Sequence, residues 1–168
     1  ASTASGLMIS DGRRFERVAG QPAGAAHGLD VAPDGTVWYG CGAGVCRLAK
    51  GTITVLGLSE GVPVDRWDAL LTDREGTVWI RSSQHLLKKP RAGQRFEPVA
   101  EPIPNIGDFA ALSLGRHGEL FVPTDDGVWE LANGRWREIG QPQGLLSSGT
   151  NSVYDDREGS LWIGLWGA

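Results

Sequence analysis

A short motif occurs four times along the chain at an almost constant interval. Its two best copies cover residues 73–80 (DREGTVWI) and 156–163 (DREGSLWI), and weaker copies cover 33–39 (PDGTVWY) and 116–122 (RHGELFV). The central glycines of successive copies are 41, 42 and 41 residues apart. A constant period of this length is typical of proteins built from repeated structural units. The chain is therefore expected to contain four copies of one unit.

The residues around each motif predict four short strands per unit. In the first complete unit, short apolar runs are separated by turn residues such as Pro33 and Gly35. The four runs lie at 28–31, 36–39, 45–49 and 52–56. Four strands in about 41 residues make up one blade of a β-propeller. We therefore predict an all-β fold, a β-propeller of four-stranded blades.

The repeat also predicts where each blade begins and ends. Complete blades are expected at residues 28–68, 69–109 and 110–151. The last copy, at 152–168, provides only two inner strands, and residues 6–18 match the two outer strands of the other units. We therefore predict four blades per chain, with one blade split between the N- and C-termini. Such pairing of the two ends would remove two exposed sheet edges.

The most conspicuous residues of the motif have structural explanations. A large aromatic ring stands three residues after each motif glycine, and it is expected to fill the wedge between neighbouring blades. These rings are Trp38, Trp79, Phe121 and Trp162. Asp73 and Asp156 are expected to accept hydrogen bonds from backbone N–H groups of the turn that follows.

Charge and composition exclude several classes of function. The net charge is −4 and no basic stripe is present, so nucleic acid is not an expected partner. No apolar run reaches the roughly 18 residues of a membrane span. Cys41 and Cys46 face each other across a predicted hairpin, where they either form a disulfide in an oxidising compartment or are two small buried residues. No zinc-ligand spacing occurs, and no cofactor is expected.

The strand and turn pattern resembles a known repeat. An Asp-x-x-Gly-x-Leu/Val-Trp-Ile segment followed by Gly-Leu/Val-x-x-Leu and Gly-x-Phe is similar to the two-component regulator propeller repeat, and the similarity extends through four copies. Such repeats build periplasmic sensor propellers of bacterial hybrid histidine kinases and diguanylate cyclases, many of which respond to oligosaccharides. The resemblance implies an extracytoplasmic, periplasmic sensor that is part of a longer signalling protein. The copies at 28 and 110 lack parts of the motif, and no kinase or cyclase segment is present.

Candidate binding residues are those that break the repeat on the face where inter-blade connections and hairpins open. They combine aromatic rings with charged groups, as sugar-binding sites do. The candidates are Arg66, Trp67, Arg81, His85, Phe109, Asp125, Asp126 and Trp166. The alternative interpretation is that these are ordinary polar loop tips and that Trp67 fills a gap between blades.

These observations favour a non-catalytic sensor that binds a small molecule or an oligosaccharide. No nucleophile elbow, phosphate loop or dinucleotide motif is present. One alternative is a propeller enzyme of the lyase or lactonase type with a metal at the channel mouth, for which Asp68 and Asn151 are the only repeat-equivalent ligands. Another is a structural, self-assembling propeller fragment.

The number of blades predicts self-association. Neighbouring blades would be rotated by about 90° in a four-bladed ring and by about 45° in an eight-bladed ring, and known propellers have roughly four to eight blades. A rotation of 90° would be a severe change for blades built on a familiar repeat. We therefore predict a homo-oligomer in which two chains form one eight-bladed ring. A four-bladed ring of one chain is the alternative.

Overall fold

The structure, a computed structural model, describes residues 1–99 and 111–166. Over these residues the protein is all-β, as predicted, with two short 3₁₀ turns at Leu58–Glu60 and Gln141–Gln143. The strands are β1 (Ser2–Thr3), β2 (Gly6–Ser10), β3 (Phe15–Arg17), β4 (Ala26–Val31), β5 (Val37–Cys41), β6 (Gly44–Ala49), β7 (Thr52–Leu56), β8 (Ala69–Thr72), β9 (Val78–Arg81), β10 (Leu86–Lys89), β11 (Glu97–Pro98), β12 (Ser113–Leu114), β13 (Leu120–Thr124), β14 (Gly127–Ala132), β15 (Arg135–Ile139), β16 (Thr150–Asp155) and β17 (Leu161–Leu165). The described helical turns are all too short and too polar to cross a membrane.

The chain divides into two compact units. The first comprises Ala1–Ser82 and Leu87–Pro98, and the second comprises the described part of residues 83–86 and 99–168. The first unit contains β1 to β9 and most of β10 with β11, and the second contains β12 to β17.

Four-stranded antiparallel sheets dominate both units, which confirms the predicted type of sheet. In the first unit, β4 to β7 form one sheet and β8 to β11 another, with sequential strands as neighbours. In the second unit, β12 to β15 form a third sheet with the same order. Sequential strands pair because each is joined to the next by a short turn.

The chain ends form smaller sheets. Strands β2 and β3 make the hairpin that the sequence predicts, and the short strand β1 lies along the other edge of β2. Strands β16 and β17 pair with each other. The total number of blades and the split of one blade between the two ends stay predictions.

The two best copies of the motif form the same hydrogen-bonded turn. Oδ1 of Asp73 accepts the backbone N–H groups of Glu75 and Thr77 at 3.0 and 2.8 Å, and Oδ2 accepts the indole N–H of Trp79 at 2.8 Å. Asp156 makes the equivalent bonds at 3.0, 2.8 and 2.7 Å. The predicted structural role of both carboxylates is confirmed. Each carboxylate also binds the motif tryptophan, and we call this set of three hydrogen bonds the clamp.

The weaker copies keep a carboxylate in the turn but take it from other positions. In the first copy Asp34 accepts the N–H of Thr36 at 2.9 Å. In the third copy Glu119 accepts the N–H of His117 at 2.9 Å. The Glu119 side chain occupies the space beside Gly115, where an added Cβ would collide with its Oε2. The turn geometry therefore persists although the motif has changed.

The aromatic rings of the motif are buried in three of the four copies. Trp38 and Trp79 are each 6% exposed, and Phe121 is 4% exposed. Trp38 packs edge-on against Phe96, which directly precedes β11 of the next sheet, with ring centroids 6.2 Å apart. For Trp162, at 63% exposed, the prediction of a buried ring is wrong. It lies on β17, whose sheet within the described residues has only the two strands β16 and β17.

Two glycines allow the sheets of the first unit to approach each other closely. An added Cβ at Gly28 would lie 2.7 Å from the carbonyl oxygen of Asp68, and one at Gly40 would collide with the carbonyl oxygen of Trp67. Both contacts join the inner strands β4 and β5 to the segment that leads into β8. The lack of a side chain at these two positions therefore allows close backbone packing.

Cys41 and Cys46 form a disulfide across the β5–β6 hairpin, with their Cα atoms 5.7 Å apart. Both residues are buried in a cluster with Leu7, Ala26 and Tyr39. The sequence left two interpretations open, a disulfide or two small buried residues, and the structure contains the disulfide.

Candidate functional site

The predicted binding residues are distributed over both units. Arg66, Trp67 and Arg81 belong to the first unit, and His85, Asp125, Asp126 and Trp166 belong to the second. Phe109 lies outside the described residues.

In the first unit the candidates lie at one end of the strands. The connection before β8 runs beside the β5–β6 hairpin, where the N–H of Asp65 donates to the carbonyl oxygen of Ala43 at 3.1 Å. Inter-sheet connections and second-to-third-strand hairpins therefore share one end of this unit, as the connectivity of a propeller predicts.

Most of these first-unit side chains take part in packing and pairing. Trp67 is 0% exposed within the main core, and its indole N–H donates to the carbonyl oxygen of Pro63 at 3.3 Å. Arg81 is 1% exposed. Arg66 forms a bidentate ion pair with Asp68, at 2.8 and 3.0 Å. This arrangement favours the packing interpretation for Trp67, because neither face of its ring is open to a ligand.

In the second unit, hydrogen bonds fix the β13–β14 turn against the start of β16. The hydroxyl of Thr150 accepts the N–H of Thr124 at 3.0 Å and lies 2.8 Å from the carbonyl oxygen of Gly127. Both threonines are fully buried. Thr124 also accepts the N–H of Asp126 through its hydroxyl at 3.1 Å. The turn is therefore rigidly attached to the neighbouring sheet.

An exposed ring and two exposed carboxylates belong to this same end. Asp125 and Asp126 form the tip of the β13–β14 turn and are both exposed. Trp166 follows β17, is 50% exposed, and donates its backbone N–H to the carbonyl oxygen of Gly149 at 2.9 Å. Because Gly149 directly precedes Thr150, the structure brings Trp166 and the acidic turn to the same end of the second unit. His85 is half-buried in this unit.

The residues considered as metal ligands are engaged in other contacts. Both carboxylate oxygens of Asp68 face the guanidinium of Arg66, and Oδ1 of Asn151 accepts the hydroxyl of Ser152 at 2.8 Å. Among residues 1–99 and 111–166, no group of three or more His, Cys, Asp or Glu side chains is arranged to hold a metal ion.

The first unit also contains a cavity, at the end of its strands away from the β5–β6 hairpin. The residue patterns of the sequence did not predict it. It has a volume of about 480 Å³, and basic side chains, including Arg47, Lys89 and Arg91, line it. The repeat carries little signal for it: a basic residue accompanies the motif tryptophan in two sheets, but only Arg47 of the two lines the cavity. Arg47 lies opposite Trp38, and Lys88 lies over the ring of Trp79.

Comparison with known proteins identifies the fold. No protein-family model matches the sequence, and no curated protein does. The structure is similar to the extracellular domain of BT4673, a hybrid two-component system of B. thetaiotaomicron, with a TM-score of 0.75 at 20% identity, over 98% of this chain and 24% of that one. It is also similar to virginiamycin B lyase of Staphylococcus aureus, with a TM-score of 0.66 at 17% identity, over 83% of this chain and 48% of that one.

A gluconolactonase of Xanthomonas campestris, XC5397, is similar with a TM-score of 0.66 at 18% identity, over 96% of this chain and 62% of that one. The chain thus spans about a quarter of the length of the sensor domain. At these identities the similarity concerns the fold alone, which is shared by sensor domains and by lyase and lactonase propellers.

Proposed function

We propose that this chain is part of a non-catalytic sensor propeller of a bacterial signalling protein, and that it binds an oligosaccharide. The observation that carries the proposal is the half-exposed ring of Trp166 at the same end of the second unit as the Asp125–Asp126 turn. A ring can stack on the apolar face of a pyranose while carboxylates accept its hydroxyl groups.

The setting of these groups supports binding. The turn that carries the two carboxylates is held by buried hydrogen bonds of Thr124 and Thr150, so little ordering is needed when a ligand arrives. The similarity to an extracellular two-component sensor domain agrees with this role, as does the resemblance of the repeat itself.

The disulfide supports a location outside the cytoplasm. Disulfides persist in oxidising compartments such as the periplasm and are rare in the cytosol. The Cys41–Cys46 bridge therefore agrees with an extracytoplasmic sensor.

A glycan array followed by calorimetry with the best ligand tests the proposal. Trp166→Ala and the double variant Asp125→Asn/Asp126→Asn are expected to abolish binding. Trp136→Ala is the matched control, because it removes a partly exposed ring of the same unit, on β15, that belongs to no proposed site. Unchanged binding in Trp166→Ala, or equal loss in Trp136→Ala, would reject this site.

The second candidate function is a propeller enzyme, which the similarity to a lyase and a gluconolactonase supports. It predicts a stoichiometric metal ion in the purified protein and turnover of a lactone or a cyclic depsipeptide. Elemental analysis and assays on both substrate classes distinguish it from the sensor, which is expected to show neither.

Self-association into a two-chain, eight-bladed ring belongs to the same proposal, and a purely structural fragment would also assemble in this way. Its support is the open face of the β16–β17 hairpin, where Tyr154 and Trp162 are 65% and 63% exposed. Light scattering is expected to give twice the chain mass of 17.9 kDa, and Trp162→Ala is expected to return it to the single-chain value. A single-chain mass for the unaltered protein would contradict the ring.

A further inference from the structure

The cavity in the first unit lies between the sheets β4–β7 and β8–β11, and it shares no residue with the proposed oligosaccharide site. Three turns form its rim, at residues 32–36, 73–76 and 90–94. The β5–β6 hairpin, beside which the other candidates of this unit lie, is at the opposite end of β5. The volume of the cavity, about 480 Å³, is in the range of small-molecule sites.

The lining of this cavity is positively charged. It contains the four cations Arg47, Arg74, Lys89 and Arg91 but only two carboxylates, so its formal charge is +2. The whole chain carries −4. A concentration of positive charge in a concave, partly apolar space raises the local potential and attracts anions.

The two carboxylates of the lining are committed to the backbone. Asp73 accepts two N–H groups of its turn and the indole N–H of Trp79. Asp34 accepts the N–H of Thr36 at 2.9 Å, and that hydrogen bond is the main reason why the pKa of Asp34 is lowered. Among residues 1–99 and 111–166, none of the four cations forms an ion pair with either carboxylate.

Two of the cations line the cavity from different sheets and are close enough to interact. Arg47 is on β6 and Lys89 ends β10. Burial, and after it the positive charge of Arg47, lower the pKa of Lys89. Asp34 balances this charge in part, since, after the hydrogen bonds from Thr36, the positive charge of Arg47 contributes to the lowered pKa of Asp34. The repulsion between the two cations is relieved further when an anion binds between them.

One wall of the cavity is apolar. Trp38 and Val78 line it and are 6% and 5% exposed. Cζ of Arg47 lies 6.0 Å from the centroid of the Trp38 ring, so the ring orients the guanidinium at the cavity wall. The cavity thus offers a charged end and an apolar surface to one ligand.

We propose that this cavity binds a small organic anion, whose phosphate or carboxylate group is held by Arg47, Lys89 and Arg91 while its carbon skeleton lies against the apolar part of the lining. Guanidinium groups are suited to this role because they donate paired hydrogen bonds to the oxygens of such groups. The site is separate from the oligosaccharide site proposed above, and either proposal can fail without the other.

Calorimetry with inorganic phosphate, glucose 6-phosphate, citrate and glucose tests the proposal. Glucose 6-phosphate or citrate is expected to bind with a Kd below about 1 mM, inorganic phosphate more weakly, and glucose not at all. Comparison of the phosphate ligands with citrate shows whether the site prefers a phosphate or a carboxylate group. Absence of binding by every anion at about ten times that concentration would overturn the proposal.

Charge-neutralising variants locate the site. Arg47→Gln and Lys89→Gln are each expected to weaken binding roughly tenfold or more, since each removes a charge-assisted hydrogen bond. Arg135→Gln is the matched control, because it removes an exposed cation from β15 in the other unit. Circular dichroism confirms that each variant is folded. Equal weakening by Arg135→Gln would show non-specific attraction and overturn the assignment.

The pKa of Lys89 supplies an independent measurement. A bound anion favours the protonated amine, so it is expected to raise this pKa, and affinity should decline as the pH rises through it. Arg47→Gln is expected to raise the same pKa without ligand. The other charges that line the cavity are Asp34, Asp73, Arg74 and Arg91. Nuclear magnetic resonance of the lysine side chains measures the shift, and an unchanged Lys89 pKa at saturating anion would contradict the site.

Discussion

Replacing Asp73 with Ala tests whether the repeated motif is a structural clamp. The substitution removes three hydrogen bonds, to the N–H groups of Glu75 and Thr77 and to the indole N–H of Trp79. The indole is the critical partner because Trp79 is 6% exposed, so water cannot easily replace the lost acceptor.

The magnitude follows from the burial of each donor. A buried N–H left without an acceptor costs about 1–3 kcal/mol, and each accessible turn N–H that turns to water costs about 0.5 kcal/mol. We therefore expect Asp73→Ala to lower the free energy of unfolding by about 2–4 kcal/mol. For a chain of 168 residues that loss corresponds to a fall in Tm of about 4–16 °C.

The chain contains its own control. Asp156 makes the same three bonds at nearly the same distances, but its tryptophan, Trp162, is 63% exposed. In the single chain, at concentrations where light scattering shows no dimer, this indole can donate to water after Asp156→Ala, so we expect a clearly smaller loss of stability. Asp73→Asn separates the two parts of the clamp, because its amide oxygen can still serve the turn while its NH₂ group opposes the indole N–H.

Thermal unfolding followed by circular dichroism measures the loss, and hydrogen exchange of the indole N–H groups assigns it to the correct ring. Equal destabilisation by Asp73→Ala and Asp156→Ala would refute the argument from burial. A fall in Tm of less than about 2 °C in Asp73→Ala would refute the clamp itself.

Two further predictions follow from the packing and the charge of the motif. Gly40→Ala should lower the free energy of unfolding of the first unit by about 1–3 kcal/mol in urea, since the added Cβ would collide with the carbonyl oxygen of Trp67. Gly57→Ala is the control and should be neutral, because its added Cβ would have no neighbour within 4 Å. The pKa of Asp156 lies below its ordinary value of 3.8, mainly because the carboxylate accepts a hydrogen bond from the indole of Trp162. The ionised carboxylate therefore contributes to stability above pH 3.8, and this contribution is lost as the pH falls through the lowered pKa. Trp162→Phe should raise this pKa in a carboxyl NMR titration; an unchanged value would show that the indole bond does not form in solution.

The predictable part of the fold was the part that depends on local sequence. Strand and turn positions followed from apolar runs separated by Gly, Pro and Asp residues, and the β2–β3 hairpin and the β4–β7 sheet lie where these signals placed them. The hydrogen bonds of Asp73 were also predictable, because the acceptors and donors lie within a few residues of one another.

Compensation between positions was not predictable. The third copy of the motif looks degraded because Gly115 replaces the aspartate, but the Glu119 side chain occupies the vacated space and its carboxylate caps the turn. An aligned motif compares residues position by position, whereas a turn requires only that some carboxylate reaches its N–H groups.

The candidate site was predicted less well than the fold. Trp67 and Arg81 were selected because they depart from the repeat on the expected face, yet both are buried, at 0% and 1% exposure. Trp166 and the Asp125–Asp126 turn were selected by the same criterion and are exposed. Departure from a repeat identifies residues with an individual role, but it does not distinguish a ligand contact from a packing contact.

The sequence by itself determined the repeat, the strand order and the chemistry of the turns, because these depend on interactions within about ten residues. Tertiary structure decided which rings are covered, which carboxylates are engaged, and how Arg47 and Lys89 of two successive sheets come to face one cavity. The physical reason is that burial and electrostatic coupling depend on the distance between sheets, and no pattern along a single strand encodes that distance.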